Sequence, residues 1–198
     1  MEFLVTIALR SVAGGCLVAL LLGATACDAR PDAGPTVSTP SAAGSSPVLG
    51  SAGFGGTDLA WVEITIAMNE ELLPLLDLAS THSSDDGMRA LAADVKARHE
   101  QELGTLRQLH DQAKLPSENP HKGMPMPGMV TPEQVAEAAA VQGAAFDKLL
   151  VQHLRAHLEQ GVKLAESEAK AGVEPRTKSL AAQVISDRGR LLDRLSAS

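Results

Sequence analysis

From Asp58 onward, apolar residues recur at intervals of three and four, and no stretch alternates with the period of two that a half-buried strand needs. That pattern demands helices that each bury one face, and it leaves no material for a sheet. Four long helical segments are predicted, at about 58–81, 85–113, 144–171 and 175–196. Pro74 lies within the first and predicts a kink there, because proline removes a backbone donor. Residues 114–130 break the period with four prolines and two glycines. Thr131-Pro132-Glu133 then has the form of an N-cap followed by proline at the first helical position, which opens a short helix to about Val141.

The two halves resemble each other. Trp61 and Phe146 stand 85 residues apart, Leu78-Ala79 and Leu164-Ala165 86, and Leu91-Ala92-Ala93 and Leu180-Ala181-Ala182 89. The drift predicts a three-residue insertion in the second inter-helix turn. Two repeated hairpins, 58–113 and 143–196, joined by the Met-rich connection 114–130, predict an all-α, up-down four-helix bundle over residues 57–198. Aromatic side chains make up only 2% of the chain, so its core must be built of Leu, Ala, Val and Ile.

A different grammar governs the start. Arg10 precedes an apolar run at 11–23, too short to span a bilayer, and Ala24-Thr25-Ala26-Cys27 follows. Residues 1–26 read as a lipoprotein signal peptide. Small residues before a cysteine suit lipoprotein processing, in which the Cys27 thiol takes the lipid. The alternative is ordinary cleavage after Ala26. Residues 27–56 are mostly Ala, Gly, Ser, Pro and Thr, a composition that buries too little surface to offset ordering entropy, and they read as a flexible tether. The expected location is extracytoplasmic, with Cys27 as the membrane attachment. Only Cys16 and Cys27 are present, which excludes a cysteine-based metal site in the domain. A net charge of -7 gives no electrostatic footprint for nucleic acid.

Placing residues at 100° intervals sets several polar side chains on apolar arcs. His153 and His157 fall within the arc of the third long helix, four residues apart, a spacing at which two rings reach one ion. His99 and Glu102 fall within the arc of the second. Met68 lies near mid-arc on the first, with Glu71 at the edge, and Arg188 lies inward on the last. Buried polar groups are costly unless paired. Two readings stay open: a metal site built from Met68, His99, Glu102, His153 and His157, or a polar network such as Glu102 with Arg188. In the connection, His121, Met124, Met126 and Met129 offer soft donors suited to Cu(I) or Ag(I); the alternative is that these methionines pack on the bundle. No nucleophile motif, phosphate loop or zincin signature occurs, nor the paired Glu-x-x-His of di-iron bundles, so no enzymatic activity is expected.

Residues 124–195 carry Met-Pro-Gly-Met at 126–129, Thr131-Pro132-Glu133-Gln134, Gly143-Ala144-Ala145-Phe146-Asp147, Gly161-Val162-Lys163-Leu164-Ala165, and Pro175 with Leu180-Ala181. This run resembles the domain-of-unknown-function 305 family, and residues 58–110 look like its weaker first repeat. The resemblance implies a ferritin-like four-helix fold, frequent export and, for some members, copper binding and tolerance. Set against the family's pattern, His153 stands at a Met position, His157 at the first His of a pair and Leu158 at the second. Arg188 and Leu191 stand where Gln and Glu are usual; in the first repeat His99 replaces Gln and Glu102 is kept. The expectation is a lipid-anchored bundle that binds a soft metal ion such as copper. Its rivals are an envelope structural or protein-interaction module without metal and, more remotely, a ferritin-like oxidase.

Overall fold

In a computed structural model, which describes residues 53–197, the domain is built of α1 (Gly56–His82), α2 (Asp86–Ala113), α3 (Pro132–Ala139), α4 (Ala144–Ala171) and α5 (Pro175–Ala197). The expected signal peptide, Cys27 and most of the expected tether lie outside the described residues. Among the described residues there is no strand, and no helix is long and apolar enough to cross a membrane.

The chain's own chemistry sets the helix ends. Asp85 accepts from the Met88 amide at 2.8 Å and caps α2. Lys114 closes α2 in the left-handed region, at φ 54°. Thr131 and Gln134 exchange hydrogen bonds as a reciprocal capping box at α3. At α4 the N-cap is Gly143, whose φ of 61° suits glycine and lets its amide donate to the His82 carbonyl at 2.7 Å. That bond ties the start of α4 to the end of α1.

At the opposite end, the Val173 and Glu174 amides reach Asp58 near the start of α1. α1 and α4 are therefore antiparallel neighbours. The ion pairs Arg98–Asp187 and Arg194–Asp94 place α5 beside α2. The lateral order is α1, α2, α5, α4, with each helix antiparallel to both neighbours. The connection between the hairpins climbs the length of the bundle along α1, so α4 runs parallel to α2. One long crossover of this kind is the ferritin-like arrangement.

Two details differ from the sequence expectations. Phe54 belongs to the domain rather than to the tether: it is 2% exposed and packs in the cluster that holds Trp61. A lone aromatic beside glycines is easily taken for linker. The expected insertion in the second turn is absent, since residues 83–85 and 172–174 are equally long. Trp61 and Phe146 are accordingly not equivalent; they pack in different clusters, toward opposite ends. As expected, α1 spans Pro74, whose ring lies on the exposed side.

Candidate functional site: a polar layer across the bundle

The core has two large apolar clusters, beside a small third one of Ala67, Met68 and Met129. One apolar cluster gathers Leu72, Leu75, Val95, Leu154, Leu158 and Leu191; the other gathers Ile66, Leu103, Leu106, Ala165, Leu180 and Val184. Around the middle of the bundle each long helix turns a polar side chain inward: Asn69 on α1, His99 and Glu102 on α2, His157 on α4, and Arg188 on α5. Asn69 and His157 are fully buried, and His99 and Arg188 nearly so.

Two devices build the layer. Gly161 leaves the space that Arg188 fills: an added Cβ there would lie 1.4 Å from Arg188 Nη1. Arg188 thereby crosses to α1 and α2, donating to Asn69 Oδ1 at 3.0 Å and to Glu102 Oε1 at 2.9 Å, and Asn69 Nδ2 donates to the same Glu102 oxygen at 2.9 Å. A buried guanidinium needs this many acceptors to offset its desolvation.

The second device is a histidine pair across the diagonal. Nε2 of His99 and Nε2 of His157 face each other at 3.0 Å. His99 Nδ1 lies 2.9 Å from the Val95 carbonyl and so carries a proton. His157 Nδ1 is buried and has no partner of good hydrogen-bond geometry, although the Gly128 carbonyl is the backbone group facing it. With both rings neutral, His157 Nε2–H donates to His99, and the His157 Nδ1 lone pair is left against that carbonyl. If His157 instead carried its proton on Nδ1, two Nε2 lone pairs would face each other, an arrangement that only a cation between them relieves. Burial, then the nearby Arg188 charge, pushes His99 down to about 4; burial, His99 and Arg188 hold His157 well below the usual imidazole range. A proton is thus a poor occupant near neutral pH.

A cleft of about 100 Å³ between α2 and α5 reaches His99, Glu102 and Arg188 from outside. Its rim carries Arg98, Gln101 and Asp187.

The expected five-residue metal constellation is only partly assembled. His99 and His157 meet, but Glu102 is held by Arg188 and Asn69. His153 is buried elsewhere on α4: its Nε2 is unpartnered, burial lowers its pKa, and Glu137 on α3 opposes that shift. Met68 packs with Met129 and Met126 of the crossover. Among the described residues no group of three or more His, Cys, Asp or Glu side chains is poised for a metal.

The crossover splits likewise. Met129 is buried against Met68, Met126 is half-buried beside them, and Met124 is 46% exposed. His121 sits in a turn whose flanks are tied to α1 by Asn119 Nδ2 donating to the Glu63 carbonyl and Gly123 N donating to Glu71. The loop and core candidates nonetheless adjoin, because Gly128 precedes Met129 and faces His157.

Sequence reasoning missed Asn69. Its spacing of three residues from both Ile66 and Leu72 marks it as inward, but α1 is apolar on most faces and hides that signal.

Fold and site define a ferritin-like four-helix bundle with a polar layer at mid-height. The family model described as "Domain of unknown function (DUF305)" matches residues 58–197, and the chain belongs to that family. Two solved structures share the fold. One is a family protein of Streptomyces coelicolor expected to be secreted, 19% identical, covering 70% of this chain and 89% of its own, with a TM-score of 0.63. The other is a family fragment from Deinococcus radiodurans, 14% identical, covering 72% of this chain and 94% of its own, with a TM-score of 0.64. No curated protein matches.

Proposed function

We propose that this protein is a lipid-anchored, extracytoplasmic binder of a soft monovalent metal ion, copper(I) foremost, serving buffering or tolerance. The observation that carries the reading is the pair of facing Nε2 atoms of His99 and His157. Metal–imidazole bonds of about 2.0–2.1 Å let one ion reach both nitrogens when these lie within about 4 Å, and they lie 3.0 Å apart. The orphaned His157 Nδ1 fits such an ion, since a proton moved there would meet the Gly128 carbonyl and free Nε2 as a ligand. Glu102 is already neutralised by Arg188, so the donors left are neutral imidazoles, with the Met126 and Met129 thioethers in the crossover that adjoins His157 at Gly128. That donor set suits a soft monovalent ion and gives a divalent one no counter-charge.

Titration with Cu(I) against a competing chelator tests the reading. His157→Leu is expected to weaken binding at least tenfold, and replacing Met126 and Met129 by Leu to weaken it less. Equal affinity in wild type and His157→Leu would exclude the histidine pair. For the anchor, the Cys27→Ala variant is expected to leave the membrane fraction or stay unprocessed; processed protein that remains membrane-bound would contradict it.

A second reading, an envelope interaction module without metal, is favoured by the Arg188–Glu102–Asn69 hydrogen bonds, which satisfy the layer's carboxylate without an ion. On that reading no ion changes the protein's stability.

A further inference from the structure

At the tether end of the bundle, well away from the histidine pair, a second buried polar cluster joins three helices. Asp58, fully buried on α1, accepts from the amides of Gly55 at 2.6 Å and of Val173 and Glu174 at 3.0 Å. The Thr177 hydroxyl lies 2.8 Å from Asp58 Oδ1. Asp58 thus binds the segment leading into α1 to the turn between α4 and α5. These donors hold its carboxyl below the usual range against the opposing effect of burial.

Glu168 of α4 is the unexplained member. It is fully buried, and neither carboxylate oxygen receives a hydrogen bond. Its carboxyl lies within hydrogen-bonding reach of the Asp58 carboxylate. Gly172 makes room for it, since a Cβ there would come within 2.0 Å of Glu168 Oε1. Two ionised carboxylates in contact in a buried site repel each other, so one keeps a proton. Asp58 has the amide donors and stays ionised; Glu168 has no amide donor, and the Thr177 hydroxyl that could favour its ionisation points to Asp58 at 2.8 Å, so as the acid Glu168 donates to Asp58. The other charges nearby do not relieve the pair. Lys178 on α5 favours ionisation of Glu168 only as a lesser effect, and Glu174 turns its carboxylate to the Thr177 amide.

We infer that Glu168 and Asp58 form a proton-sharing clasp that fastens the tether end of the domain, and that loss of the shared proton above neutral pH loosens the Phe54–Gly55 segment. Burial first, then Asp58, raises the Glu168 carboxyl to about 7, which sets where release begins. Glu168→Gln keeps a donor toward Asp58 but cannot ionise. Trp61, the only tryptophan, packs in one cluster with Phe54 and reports on this end.

The test is Trp61 fluorescence of the full-length chain between pH 5 and 9, in wild type and Glu168→Gln. Wild type is expected to show a reversible change with its midpoint near neutral, and Glu168→Gln none. The same change in both, or none in wild type, would overturn the clasp. Should Glu168→Gln fail to fold, carboxyl-carbon NMR titration of wild type decides: a Glu168 midpoint above 6 upholds the clasp, and one near the ordinary glutamate value removes it.

Discussion

An alanine methyl at Gly161 would lie 1.4 Å from Arg188 Nη1, far inside van der Waals contact. Gly161→Ala therefore evicts the guanidinium and strands Glu102 and Asn69 in the core. Breaking a buried ion pair costs about 3–5 kcal/mol, and denaturant unfolding of Gly161→Ala is expected to show a loss of that size. At Gly104, mid-helix on α2, an added methyl would meet nothing within 4 Å. Gly104→Ala is expected to stabilise by about 0.5–1 kcal/mol through backbone entropy. A Gly161→Ala variant as stable as wild type would mean that Arg188 has another place to go.

Among the elements, the crossover meets α4 most closely at one residue. Gly128 has φ 76°, and a Cβ there would lie 2.7 Å from the Ala156 carbonyl and 2.5 Å from Gln160 Cβ. Gly128→Ala is expected to lift the Met126–Met129 segment from α4, at a cost of at least ~2 kcal/mol from left-handed strain and overlap. The check is peroxide oxidation followed by mass spectrometry: buried Met129 should form sulfoxide faster in the variant, while exposed Met124 is unchanged. All five helices were legible in the periodicity and capping residues, because an amphipathic stripe and a Thr-Pro-Glu start are local signals. The wheel also placed His99, His157, Glu102 and Arg188 inward. Glu102 with Arg188 was one of the two open readings, and the pair forms; that His99 would face His157 was not legible. That depends on the lateral order of helices, which sets His99 across from His157 and packs Met68 against the crossover. The Asp58–Glu168 contact joins residues 110 positions apart, and Glu168 has no signal of its own in a charged C-terminal turn.

For the molecule as a whole, the two buried clusters push stability in opposite directions with pH. His99 stays neutral in the folded state down to about 4, whereas an unfolded histidine takes its proton near 6.5. Folding therefore loses stability as pH falls from 6.5 toward 4, on the order of 3 kcal/mol from His99. Glu168 holds its proton up to about 7, against an ordinary 4.5, so its contribution is full below 4.5 and is lost as pH rises through 7. Melting temperature measured from pH 4 to 9 should thus fall on both sides of a mildly acidic optimum. In Glu168→Gln the alkaline loss should shrink while the acid loss remains; an unchanged alkaline loss would place its origin outside the clasp.

The central claim is that the histidine pair at mid-bundle holds a soft ion, and its most direct test is thermal unfolding of wild type and His157→Leu with and without Cu(I), Cu(II) and Zn(II). An ion that binds only the folded state adds about 2.7 kcal/mol at a hundredfold excess over Kd, which for a domain of this size raises the melting temperature by several degrees. Cu(I) is expected to raise it in wild type, the two divalent ions to do so less, and none of the three to act on His157→Leu. A wild-type melting temperature indifferent to all three ions would contradict the claim and leave the polar layer as a structural network.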